Sequence, residues 1–166
     1  MLRADSPFYN YQIKGTNFIA YDEGVYGLIF VDKQLGLARK IFKARAGADE
    51  TVVRNTFQFE IKAYEIVLAH PVLKEVVPNQ SHQLIQNAKG EDASCYFFPE
   101  LAYEMEFVEG SFCKIGLLKD TPKLNELKPL FRSVGVKYLT DCSVCNLPTG
   151  LKFIDFATEE VEIWHD

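Results

Sequence analysis

The chain opens with short apolar runs broken by Asp and Gly. Residues 16–21 form a strand-like run, Asp22-Glu23-Gly24 a turn, and residues 25–31 a stretch rich in Val, Tyr, Ile and Phe. Such β-branched and aromatic runs between turn residues read as strands. Residues 32–36 make a second turn, and residues 37–42 resume a strand. The pattern predicts an antiparallel meander of three strands.

The period then changes. Between Asp49 and the His70-Pro71 stop, Val53, Phe57, Ile61, Tyr64 and Leu68 recur at helical spacing. At about 100° per residue they fall on one stripe less than about 90° wide. Glu60 falls inside that stripe and Glu65 on its flank. A carboxylate on a buried face is costly unless a cation or hydrogen bond meets it. The spacing therefore predicts that Glu60 has a partner.

Residues 80–92 are polar and read as loop and exposed edge. Residues 95–98 and 101–108 read as two strands around a Pro99-Glu100 turn, with Tyr103, Met105 and Phe107 alternating with Glu104 and Glu106. A second helix starts at Asp120-Thr121-Pro122 and carries Leu124, Leu127, Phe131 and Val134 on one face. Pro near the first turn and Gly135 at the end fit its two caps, and Pro129 inside it predicts a bend. Three strands, a helix, two strands and a helix make an α+β layout with an antiparallel sheet.

Composition narrows the class. At 166 residues, with 48% hydrophobic and 25% charged residues, the chain reads as one domain or two small lobes sharing a core. A net charge of −5 argues against a nucleic-acid surface but leaves room for ATP, which needs only a local positive site. No signal peptide and no apolar run near the ~20 residues of a membrane span are visible. Cys95, Cys113, Cys142 and Cys145 do not have the two close pairs of a zinc ribbon. Free thiols without a leader suggest a cytoplasmic protein; export as an effector without a cleavable signal would leave the same sequence.

The polar cluster near the end carries the chemistry. In YLTDCSVCNLPTGLKFIDFAT, residues 138–158, Asp141 and Asn146 stand five apart, and the apolar run 151–154 delivers Asp155. Two carboxylates and an amide suit a divalent metal held on a phosphate.

With that cluster in place, the order of elements resembles the protein-kinase-like fold. Gly24-Val25-Tyr26-Gly27 resembles the second half of a glycine-rich loop, with Asp22 where the family has its first glycine. Lys40, in Leu37-Ala38-Arg39-Lys40, resembles the phosphate-neutralising lysine, and Glu60, 20 residues on, its ion-pair partner. Met105 resembles the gatekeeper, with Glu106, Phe107 and Val108 the adenine-binding hinge. Asp141 resembles the catalytic-loop acid, and Asn146 and Asp155 the two metal-binding positions. The resemblance spans roughly residues 11–158. It implies an N-lobe of about residues 1–110 and a severely reduced C-lobe of about 111–166, with ATP and Mg2+ as cofactors and a protein as substrate or partner. It is most similar to stripped-down bacterial effector kinases.

The chain departs from the family. Leu139 replaces the histidine expected two residues before the catalytic acid, the final motif is Asp155-Phe156-Ala157 without its glycine, and 11 residues follow Asp155. These departures suit a second reading, a catalytically inactive kinase-like module that grips a protein partner, as an immunity or regulatory protein would. A small-molecule phosphotransferase is a third.

Each residue also has a structural use. Lys40 suits a solvated strand lysine, Gly24 and Gly27 a hairpin turn with positive φ, and Asp141 and Asn146 a capped turn. Cys142 and Cys145 suit a redox pair or small apolar fillers. Trp164 suits packing on the body or a partner surface.

Overall fold

The computed structural model describes residues 1–44, 49–71, 83–110, 112–115, 122–139, 142–147, 150–154 and 156–159. It is a mixed α+β structure whose described residues fall into two compact units. One comprises those of 1–57 and 78–107, the other those of 58–77 and 108–164.

The first unit is a six-stranded antiparallel sheet. Its strands are β1 (Gln12–Ile13), β2 (Ile19–Glu23), β3 (Gly27–Asp32), β4 (Leu37–Lys43), β5 (Ile85–Gln86) and β6 (Phe97–Glu106), in the order β5-β1-β2-β3-β4-β6. The predicted meander is β2, β3 and β4, and β1 and β5 extend it at one end. Asp32 shapes the β3–β4 turn: its Oδ1 accepts the N–H groups of Gln34 and Leu35 at 3.0 and 3.1 Å. That side-chain mimicry of a backbone turn is why Asp recurs at such corners.

The two strands predicted around Pro99-Glu100 are one. β6 runs unbroken from Phe97 to Glu106 along β4, and the irregularity is a bulge opposite Ile41 and Phe42. A bulge absorbs an extra residue without ending the strand, and Pro99 lies in that section.

One face of the sheet buries Phe18, Leu28, Phe30, Ile41, Phe97 and Ala102. Helix α1 (Glu50–Ala69) begins in this unit. Asp49 caps it, accepting the Val52 N–H at 2.9 Å. Phe57 meets Phe42 edge-on, with centroids 5.4 Å apart.

The second unit holds the rest of α1, helix α2 (Pro122–Ser133) and a three-stranded antiparallel sheet. The strands are β7 (Phe112–Lys114), β8 (Ser143–Leu147) and β9 (Gly150–Ile154). α2 starts on Pro122 and buries Leu124, Leu127 and Phe131, as its pattern predicts. It continues through Pro129. It stops at Gly135, whose φ is +101°, with the Val136 N–H on Phe131 O at 3.0 Å and the Gly135 N–H on Arg132 O at 3.1 Å. These are the two bonds of a Schellman stop, which favours glycine at the left-handed position. Phe156 seals this unit against Tyr64 at 4.7 Å and Phe131 at 5.5 Å.

Among the described residues no helix is long and apolar enough to cross a membrane.

Candidate functional site

The hairpin between β2 and β3 turns through residues 24–26. Its neck is closed by Gly24 N–H on Gly27 O and by Lys43 N–H on Tyr26 O, both 2.9 Å. Gly24 and Gly27 do not adopt positive φ; Gly15, Gly36, Gly90 and Gly135 do. The turn therefore does not need its two glycines for that reason.

Gly27 is needed for close approach. A Cβ built there would stand 3.1 Å from Ile41 O and 3.2 Å from both Cγ and Cε of Lys40. The Lys40 stem occupies the space that a side chain at Gly27 would take. The same construction at Gly24 meets nothing closer than 3.8 Å.

Lys40 is not a solvated strand lysine. It is 7% exposed, is paired with Ile29 and Tyr103 in the ladders, and has its Nζ 4.9 Å from the Phe42 ring centroid. An ammonium over an aromatic face is favourable. Period-2 alternation puts Arg39 on the opposite face of the sheet. There it stacks over Phe18 at 4.1 Å, and its Nε lies 3.1 Å from Glu104 Oε1. Nε and Nη1 of Arg39 are buried without an aligned hydrogen bond, so the contact with Glu104 is an ion pair of poor directionality. Glu104, 12% exposed, is the half-buried counter-charge of Arg39.

Lys43 is 9% exposed and reaches the same hairpin from the Arg39 side. Its Nζ lies 3.4 Å from Val25 O and 3.4 Å from Glu23 Oε1. Sequence reading missed this tie. The available signal was the third cation of the segment, one full alternation beyond Ile41.

Glu60 is 5% exposed, as the helical stripe requires, and Glu65 is exposed. Lys40 belongs to the first unit and Glu60 to the second. Met105 is buried and pairs with Ala38 on the β4–β6 ladder that also pairs Lys40 with Tyr103. Glu106 is exposed at the end of β6, and Val108 is half-buried in the second unit.

The Asp141–Asn146 spacing is not all loop. Asn146 lies in strand β8, its backbone paired with Leu151 of β9, while Ser143 pairs with Ile154. Leu151 and Ile154 are three positions apart. At about 3.3 Å per residue the Asn146 backbone is roughly 10 Å from the Ser143–Ile154 end of the hairpin. Val144 and Cys145, at 2% and 1% exposure, explain the strand: two small apolar residues find buried places there. Cys142 and Cys145 are buried free thiols and act as fillers.

Asp141 and Asp155 lie outside the described residues, as does Trp164. Their neighbours are well anchored. The Cys142 N–H bonds Leu139 O at 3.0 Å, Tyr138 and Ala157 exchange both backbone bonds, and the Thr158 N–H reaches Phe59 O at 3.2 Å. Leu139 is 4% exposed. Among the described residues no group of three or more His, Cys, Asp or Glu is gathered as a metal site.

No protein-family model, curated protein or solved structure matches the chain.

Proposed function

We propose that this chain is a minimal, kinase-like, ATP- and Mg2+-dependent phosphotransferase that modifies a protein. The observation that carries the reading is the packing of the buried Lys40 stem on Gly27, at the neck of a short glycine-flanked hairpin. Burying an ammonium is costly even when it is paired, and buried cations of this kind cluster at functional sites. A phosphate chain lying along the hairpin would meet backbone amides and this cation together.

In this reading Glu60 is the counter-charge of Lys40, and its burial on α1 supports that role. Met105 and Glu106 line the adenine side. Asp141 orients the attacking hydroxyl, and Asp155 holds Mg2+ through oxygen ligands. Asn146, in β8 three positions from the Ser143–Ile154 pair, is the second metal candidate.

The test is phosphate transfer to a protein acceptor by wild type and Asp155→Ala in ATP and Mg2+. Transfer lost in the variant supports the reading, and transfer that survives Asp155→Ala overturns it.

One observation favours the second reading, a kinase-like module that binds a partner without catalysis. Leu139 is buried where the family has a polar strut beside the catalytic acid, so that position has been given to packing. Nucleotide binding without turnover, together with a stable partner complex, would select this reading.

A further inference from the structure

We infer that Lys43 is a positioning residue for the hairpin tip. It latches residues 24–26 in place before any anionic ligand arrives. The inference rests on the phosphate-binding reading of that hairpin and adds a residue that the reading does not use.

Lys43 closes the neck at two levels. Its backbone N–H donates to Tyr26 O at 2.9 Å. Its ammonium donates to Val25 O at 3.4 Å and pairs with Glu23 at the same distance. The two targets flank the tip, one at the end of β2 and one within the turn. The side chain is 11% exposed, and Nζ lies 5.9 Å from the Phe8 ring centroid. A lysine stem held on an apolar surface with its head emerging has fewer conformations to lose than a free surface lysine. Glu23 is one-third exposed, so its carboxylate stays partly hydrated and the ion pair alone is weak. The bond to Val25 O is what makes the latch specific. A backbone carbonyl within the turn is fixed in direction, and fixing it also fixes the orientation of the peptide units beside it.

The functional consequence follows from pre-organisation. A flexible turn must lose its conformational freedom when a ligand binds its backbone, and that loss weakens binding. A turn already held by Lys43 avoids it. Lys40 and Lys43 thus approach one hairpin from opposite faces of β4, the first against its neck and the second against its tip.

The experiment compares wild type, Lys43→Met, Lys43→Arg and Glu23→Gln. Amide hydrogen exchange of residues 24–26 is read without nucleotide, and ATP–Mg2+ affinity is read by calorimetry. Lys43→Met should speed tip exchange by about tenfold and leave α2 unchanged. It should weaken ATP by about five- to tenfold. Lys43→Arg should recover most of both, since a guanidinium can still donate to Val25 O and pair with Glu23. Glu23→Gln keeps the carbonyl contact and should speed tip exchange by less than Lys43→Met. Lys43→Gln, which shortens the side chain away from Val25 O, replaces Lys43→Met if the latter does not fold. Unchanged tip exchange in the folded one of these two Lys43 variants overturns the latch. Faster exchange with unchanged ATP affinity overturns its role in positioning a ligand. Wild type that binds no nucleotide overturns both the phosphate-binding reading and that positioning role, while the exchange rates still decide whether the latch exists.

Discussion

The side chain of Lys40 lies against Gly27. Its Cγ and Cε would each stand 3.2 Å from a Cβ built at that glycine. Two features that are 13 residues apart in the chain, a strand lysine and a hairpin glycine, are therefore one packing unit.

Gly27→Ala should be felt and Gly24→Ala should not. A methyl at position 27 would also meet Ile41 O at 3.1 Å, and a ladder carbonyl cannot move away cheaply. Overpacking of this kind costs about 1–3 kcal/mol. Gly24 has room, so Gly24→Ala should fall within about 0.5 kcal/mol of wild type. Urea unfolding of the two variants checks the contrast. Equal stabilities would mean that Lys40 is not held against Gly27.

The Arg39–Glu104 pair predicts an asymmetry. Their side chains are 16% and 12% exposed, so removing one leaves a charge in an apolar place. Glu104→Ala should cost about 3–5 kcal/mol. Arg39→Met with Glu104→Leu should come within about 1–2 kcal/mol of wild type, because both charges leave together. Denaturant melts of the single and double variants decide it. A double variant as unstable as Glu104→Ala would contradict the account.

Phe156 should matter for stability. It is 1% exposed, with Tyr64 and Phe131 around it, and it follows Asp155 directly. Phe156→Ala should cost about 3–5 kcal/mol. Phe156→Leu should recover much of that. Thermal melts that show Phe156→Ala near wild type would mean that the segment after β9 is not anchored by this contact.

Acid stability should include a small contribution from Asp92. Backbone and side-chain hydrogen bonds from Ser94 hold its pKa below the ordinary 3.8, the backbone bond spanning 2.8 Å. A depressed carboxylate stabilises the fold above its ordinary pKa, and that stability is lost as pH falls through the lower folded value. Asp92→Asn should therefore flatten the acid limb just below pH 4 and leave the neutral fold little changed. An unchanged acid limb would contradict the assignment.

Most of the secondary structure was legible in the sequence, for identifiable reasons. α1 was marked by its Asp49 cap, its apolar stripe and His70-Pro71, and the burial of Glu60 followed from spacing alone. α2 was marked by Pro122 and Gly135. The β6 sequence reads as two strands because Pro99 and Glu100 look like a turn, and only pairing with β4 shows the bulge that absorbs them. β8 is hidden in the sequence because Asp141-x-x-x-x-Asn146 has the look of a polar cluster, while Val144 and Cys145 find buried places that no local rule reveals. β7 was missed because three residues carry too little pattern.

The candidate site was legible in part. Alternation along 37–43 separates Arg39 from Lys40, but only the ladder shows Arg39 with Glu104. The tie from Lys43 to Val25 crosses a hairpin and leaves no mark at any single position. The close approach at Gly27 depends on which face of β4 carries Lys40, a question of register.

The most direct test of the central claim is calorimetric titration of ATP–Mg2+ into wild type and Lys40→Met, with folding checked by circular dichroism. The account predicts saturable, magnesium-dependent binding by wild type that weakens at least about tenfold when the ammonium is removed. Equal binding by both proteins, or none by folded wild type, would contradict it.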